Sequence, residues 1–175
     1  MQERGWSVEP LDAALDHVRG PSGASVILEY GDYECPYSRA AFRAIEIVER
    51  QLGGGVRFAY RHFPLTEIHP HALAASAAAE AAALQQDFWL MHGVLFHSQK
   101  ALADDDLRRY AAELGLDAAR FDRERLGGRV LERVRRDVQS GLASGEVQGT
   151  PTLFIDGTVY RGSYDSGALI RALSS

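Results

Sequence analysis

The chain holds one cysteine in 175 residues, and its neighbours decide what chemistry that sulfur can do. It lies in Val26-Ile27-Leu28-Glu29-Tyr30-Gly31-Asp32-Tyr33-Glu34-Cys35-Pro36-Tyr37-Ser38. The apolar run from Val26 to Tyr30 reads as a buried strand that breaks at Gly31. From Arg39 onward, Phe42, Ile45, Val48 and Leu52 recur at helical spacing and mark one apolar face. Pro36 suits the first helical turn, where its missing N–H costs nothing and its φ is already helical. Cys35 is thereby placed at a helix N-terminus. Unpaired N–H groups and the positive end of the macrodipole there lower a thiol's pKa and favour the thiolate, the nucleophilic form. The expected chemistry is thiol chemistry at a surface junction; the competing reading is a buried thiol acting as a small inert hydrophobe.

Ser38 returns to the same side of that helix, where its hydroxyl could donate a hydrogen bond to the Cys35 thiolate. It cannot replace a second thiol. In a dithiol site the resolving sulfur attacks the mixed disulfide at high effective concentration. With serine there, a mixed disulfide persists until an external thiol arrives. Pro151, after Gly149 and Thr150, offers the best candidate for a cis peptide bond, the alternative being a plain strand-initiating proline.

The elements around these residues form a simple order. The helix opened at Cys35 runs to Leu52 and stops at Gly53-Gly54-Gly55. Val56 to Tyr60 is a second strand, which completes a βαβ unit of right-handed, parallel type. From Pro70 to Leu142 the pattern is helical, with acids at a helix start in Asp104-Asp105-Asp106, a cap at Asp117, and Val130, Val134, Val138 and Leu142 spaced by fours. Leu153 to Ile155 and Val159 to Arg161 read as a hairpin turning at Asp156-Gly157, and Asp165 or Ser166 caps a last short helix. Residues up to Gly23 read as a polar lead-in.

With these motifs in order, the chain resembles the DsbA-like thiol–disulfide oxidoreductases of the thioredoxin superfamily. Glu29, the short acidic turn, Cys-Pro-Tyr-Ser at positions 35–38 and Gly149-Thr150-Pro151-Thr152 carry the resemblance. Arg61-His62-Phe63-Pro64-Leu65, His69-Pro70-His71-Ala72 and Phe88-Trp89-Leu90-Met91-His92 are similar to a bacterial subgroup that includes antiporter-fused members. The implied fold is α/β, a thioredoxin-like core in two halves (1–68 and 143–175) around an all-helical insertion (69–142). The chain departs from the family at Ser38, where a second cysteine is usual, so the implied activity is monothiol: thiolation, dethiolation or isomerisation. By the same resemblance Glu29 is a buried acid with a raised pKa able to carry a proton, as against an edge-exposed strand glutamate. Gly149, Thr150 and Pro151, with Tyr33 and His69, are the implied substrate-binding residues, Thr150 pairing its backbone with an extended substrate. Pro36 and Tyr37 complete the motif.

Composition bounds the rest. A formal charge of −5 with 46% apolar and 25% charged residues describes a globular chain with no global drive toward nucleic acid or anionic membrane. The basic run from Arg120 to Arg136 is interleaved with acids and reads as a solvated helix face. One cysteine forbids an internal disulfide, and Met1-Gln2-Glu3-Arg4-Gly5-Trp6 shows no leader pattern, so a cytoplasmic location is expected. His69 and His71 match no zinc spacing; no metal and no resident cofactor are expected, with glutathione or another low-molecular-weight thiol as co-substrate. Expected partners are thiol- or disulfide-containing proteins, without membrane insertion but with room for association with a membrane protein. Two other functions fit the same residues: a redox-silent groove that binds peptides beside Pro151, and a glutathione-dependent isomerase or transferase.

Overall fold

The computed structural model describes residues 5–175; Met1 to Arg4 of the lead-in lie outside the described residues. The strands are β1 (His17–Arg19), β2 (Ser25–Gly31), β3 (Val56–His62), β4 (Thr152–Ile155) and β5 (Thr158–Tyr160). The helices are α1 (Pro36–Leu52), α2 (Ala72–Ala83), α3 (Phe88–His97), α4 (Asp104–Glu113), α5 (Ala118–Arg125), α6 (Gly128–Ser144) and α7 (Ser166–Leu173). The sheet runs β1-β3-β2-β4-β5, with β2 and β3 parallel and the other pairs antiparallel. This is the α/β, thioredoxin-like arrangement that the order of elements implied, with helices α2 to α6 inserted between β3 and β4.

Alternation along the central strand β2 sorts its side chains between two layers. Ile27, with Tyr33 from the turn beyond the strand, joins α1 through Phe42, Ile45 and Val48 and α7 through Leu169. Leu28 and Tyr30 face the other way, with Ala59, Phe63 and Phe154. The first layer continues without a break through Ala75 and Ala78 of α2, Phe96 of α3 and Leu107 of α4 to Phe121 of α5. The β4–β5 turn has positive φ at both Asp156 and Gly157 (47° and 81°), as a two-residue hairpin requires. Asp117 and Asp165 cap α5 and α7 by accepting from Arg120 N and Ala168 N, each at 2.9 Å.

Three expectations are corrected here. The lead-in is not merely polar: β1 pairs with β3, and Val8 is buried. Its anchor is Arg61, fully buried, whose guanidinium donates to both carboxylate oxygens of Asp16 at 2.9 Å and to the carbonyls of Glu9 and Pro10. Nor does the four-residue spacing mark the whole inner face of α6. Val130 and Val134 are buried, but Leu142 is exposed and Asp137, Ser140 and Gly141 face inward instead. A repeat of four advances about 40° beyond a full turn at each step, so the stripe rotates out of the interface. Gly141 sits where a Cβ would lie 3.0 Å from the Tyr30 ring. The basic run is also less solvated than expected: Arg125 is buried between Asp104 and Asp122, and Arg133 pairs with Asp137.

Candidate active site

Antiparallel pairing of β2 with β4 sets Thr152 opposite Tyr30, which brings the segment before β4 to the end of β2 where α1 begins. Cys35 is the extended N-cap residue of α1 (φ −75°, ψ 123°), and Pro36 is the first helical residue. The Thr150–Pro151 bond is cis. Cys35 Sγ lies 3.4 Å from the Thr150 carbonyl oxygen, across 115 residues of sequence. Gln99 fixes the turn from the other side: its Nε2 donates to the carbonyls of Tyr33 (2.9 Å) and Cys35 (2.8 Å). The sulfur is not at an open junction, which corrects the sequence expectation. Cys35 is only 3% exposed because the loop carrying Thr150 lies over it, while Pro36 and Tyr37 beside it are exposed.

Ser38 is fully buried, and its hydroxyl accepts from Asp32 N at 3.2 Å; among the described residues its hydrogen bond is to this amide and not to Cys35. Asp32, which the sequence reading did not single out, is the hub of the turn. Its Oδ1 accepts from Glu34 N (2.8 Å), and its Oδ2 accepts from Leu65 N (2.9 Å) and pairs with His69 Nδ1 (2.7 Å). His69 is thus held against the active-site turn, half-buried. Tyr33 is corrected: it is fully buried, its hydroxyl pairs with His92 Nδ1 at 2.9 Å, and it packs against Tyr60 and Phe96. A side chain enclosed in this way cannot line a substrate groove.

Glu29 lies on the central strand and not on an edge, wholly buried, and among the described residues neither carboxylate oxygen has a hydrogen-bond partner. Burial pushes its pKa up to about 8 against a weaker opposing pull from Arg19. A Cβ at Gly31 would sit 2.8 Å from Glu29 Oε1 and 2.5 Å from the Tyr60 ring, so the glycine leaves room for the acid beneath the start of the turn. Gly149, Thr150 and Pro151 line an open cleft of about 360 Å³ with Gln148 and Arg161. A neighbouring cleft of about 300 Å³ runs past Pro151 to Tyr160 and Tyr164. Burial raises the Tyr164 pKa, and Cys35 and Tyr37 add to the effect, which marks Tyr164 as a further neighbour of the sulfur.

Among the described residues, those able to hold a metal are elsewhere. His69 is committed to Asp32, whereas His17, His62 and Glu80 place three ligand atoms within 4.8 Å of one another. They are far apart in sequence on three different elements, so no spacing motif announces them.

A cysteine at a helix start, a cis-proline beside it and a buried acid on the central strand sit on a thioredoxin-like sheet. The chain belongs to the thioredoxin family, whose model matches residues 13–174. It is 42% identical over 171 residues to the sodium/proton antiporter NhaA 1 of Mycolicibacterium gilvum, a match covering 96% of this chain and 28% of the antiporter's length. Among solved structures, a thioredoxin-like oxidoreductase from Silicibacter pomeroyi superposes with a TM-score of 0.80 at 25% identity, covering 91% of this chain and 90% of the other. BdbD from Bacillus subtilis gives 0.79 at 18% identity, covering 93% of each chain. No helix among the described residues is long and apolar enough to cross a membrane.

Proposed function

We propose that the chain is a monothiol thiol–disulfide oxidoreductase in which Cys35 is the nucleophile. The observation that carries this is the placement of the chain's one sulfur at the N-terminus of α1, 3.4 Å from the carbonyl that precedes the cis-proline. The Cys35 thiolate attacks one sulfur of a disulfide RS–SR′; a Cys35–SR bond forms, and R′S⁻ leaves. A second thiolate, R″S⁻, then attacks the R sulfur, gives RS–SR″ and returns Cys35 as thiolate. No oxidant beyond the disulfide is consumed. Ser38 supplies no competing thiol, so release depends on the external one. The clefts beside Pro151 receive the chain that carries the target sulfur, with the backbone of Thr150 as the pairing edge. Glutathione or a similar small thiol serves as co-substrate, and thiol-bearing proteins as partners. The likeness to an antiporter chain supports association with a membrane transporter.

Incubation with glutathione disulfide at neutral pH, followed by intact-mass measurement, tests the reading. One glutathione adduct should form and be removed by added thiol, while Cys35→Ala should stay unmodified. An unmodified wild-type mass after hours would instead favour the peptide-binding groove without redox chemistry.

A further inference from the structure

We propose that His17, His62 and Glu80 form a binding site for one divalent first-row transition ion, for which zinc is the probe. The three residues come together where β1, β3 and α2 meet. His17 Nε2 and His62 Nε2 each lie 2.7 Å from the same oxygen, Glu80 Oε1. An ionised carboxylate only accepts, so both Nε2 atoms carry protons in this state. Two imidazole nitrogens and one carboxylate oxygen within 4.8 Å of one another match the three protein ligands of zinc sites whose fourth position is taken by water or a substrate.

The change needed for binding is small. To bind, each ring presents its Nε2 lone pair with a proton on Nδ1, and the ion takes the place of the hydrogen bonds to Glu80. Among the described residues His62 Nδ1 is buried without a hydrogen-bond partner, so no second hydrogen bond holds that ring in one tautomer. The rings themselves are held in place. His17 stacks on Phe88 at 3.6 Å between centroids, and His62 meets Tyr60 edge-on at 5.5 Å. A cavity of about 220 Å³ lined by His17, Glu80, Arg129 and Arg133 gives access to the open position. The two arginines there favour an anion as the fourth ligand over a neutral one. Calcium and magnesium, which take oxygen ligands, do not match this set.

The test uses the full chain, stripped with chelator and titrated with zinc chloride by calorimetry, with thermal melts alongside. One equivalent should bind and raise the melting midpoint. Affinity should fall by about 100-fold or more in His17→Ala and in Glu80→Gln, while Cys35→Ala should bind as wild type. His17 sits partly exposed on an edge strand, so its variant disturbs the core least, and circular dichroism verifies folding of both. Absence of binding by folded wild type overturns the proposal. So does undiminished binding in either folded variant, or loss of binding in Cys35→Ala, which would assign the ion to the thiol.

Discussion

At the scale of single residues, Glu29 makes the most direct physical demand. Its carboxyl titrates near 8 in the fold against 4.5 for the free side chain. Between these values the folded state keeps a proton that the unfolded chain has released. Its stabilising contribution is therefore full below 4.5 and is lost as pH rises through about 8. Glu29→Gln keeps the shape and removes the titration. Its stability relative to wild type should climb across that window, and the gain should reach the order of a few kcal/mol at alkaline pH. Chemical denaturation at a series of pH values reads this difference directly, and a flat profile would mean that the carboxyl is ionised and satisfied in the fold. Ser38 makes the complementary point. Its sequence position announced a missing second sulfur, but only the structure shows its oxygen engaged by the Asp32 amide.

At the scale of elements, Arg61 and Asp16 tie the leading segment to the sheet. Both side chains are wholly buried and share two hydrogen bonds. Removing one partner leaves the other charge uncompensated in a dry interior, so Asp16→Ala should cost about 3–5 kcal/mol. Burial tends to raise the Asp16 pKa, but the Arg61 hydrogen bonds prevail and lower it from 3.8. Its stabilisation is present above 3.8 and lost as pH falls through the lower folded value. Urea denaturation should show wild type losing its advantage over Asp16→Ala in acid; a neutral-pH cost under about 1 kcal/mol would mean that water reaches the pair. The sequence revealed β2, α1, the hairpin and the caps at Asp117 and Asp165, because each follows from local periodicity or turn chemistry. It concealed β1, whose three residues have no period to read, and the hub at Asp32, which looks like an ordinary turn aspartate until Leu65 and His69 are folded onto it. Tyr33, a substrate-binding residue by the resemblance alone, has no local signal of its burial: long-range packing against Tyr60 and Phe96 turns it inward.

At the scale of the whole molecule, the question is whether the helical run and the sheet behave as one body. Sequence divides them at positions 68 and 143, yet the apolar layer passes from Ile27 and Phe42 through Ala78 and Phe96 to Phe121 without a gap. His62 of β3 is also bonded both to Glu80 of α2 and to Asp137 of α6. The chain's two tryptophans report from opposite ends of this continuity. Trp6 packs against the hairpin turn, where a Cβ on Gly157 would meet its ring at 2.4 Å. Trp89, on α3, lies against Phe58 and under the Arg19 guanidinium, 4.4 Å from the ring centroid. Trp6→Phe and Trp89→Phe each leave one fluorescent probe, and the two should unfold in denaturant in step with the far-ultraviolet circular dichroism of the same variant. A continuous core leaves no partly folded state with enough buried surface to accumulate, so one cooperative transition is the expected form. If the helical insertion were an independent unit, the Trp89 signal would separate from the Trp6 signal, and the shared layer would then contribute little to either half.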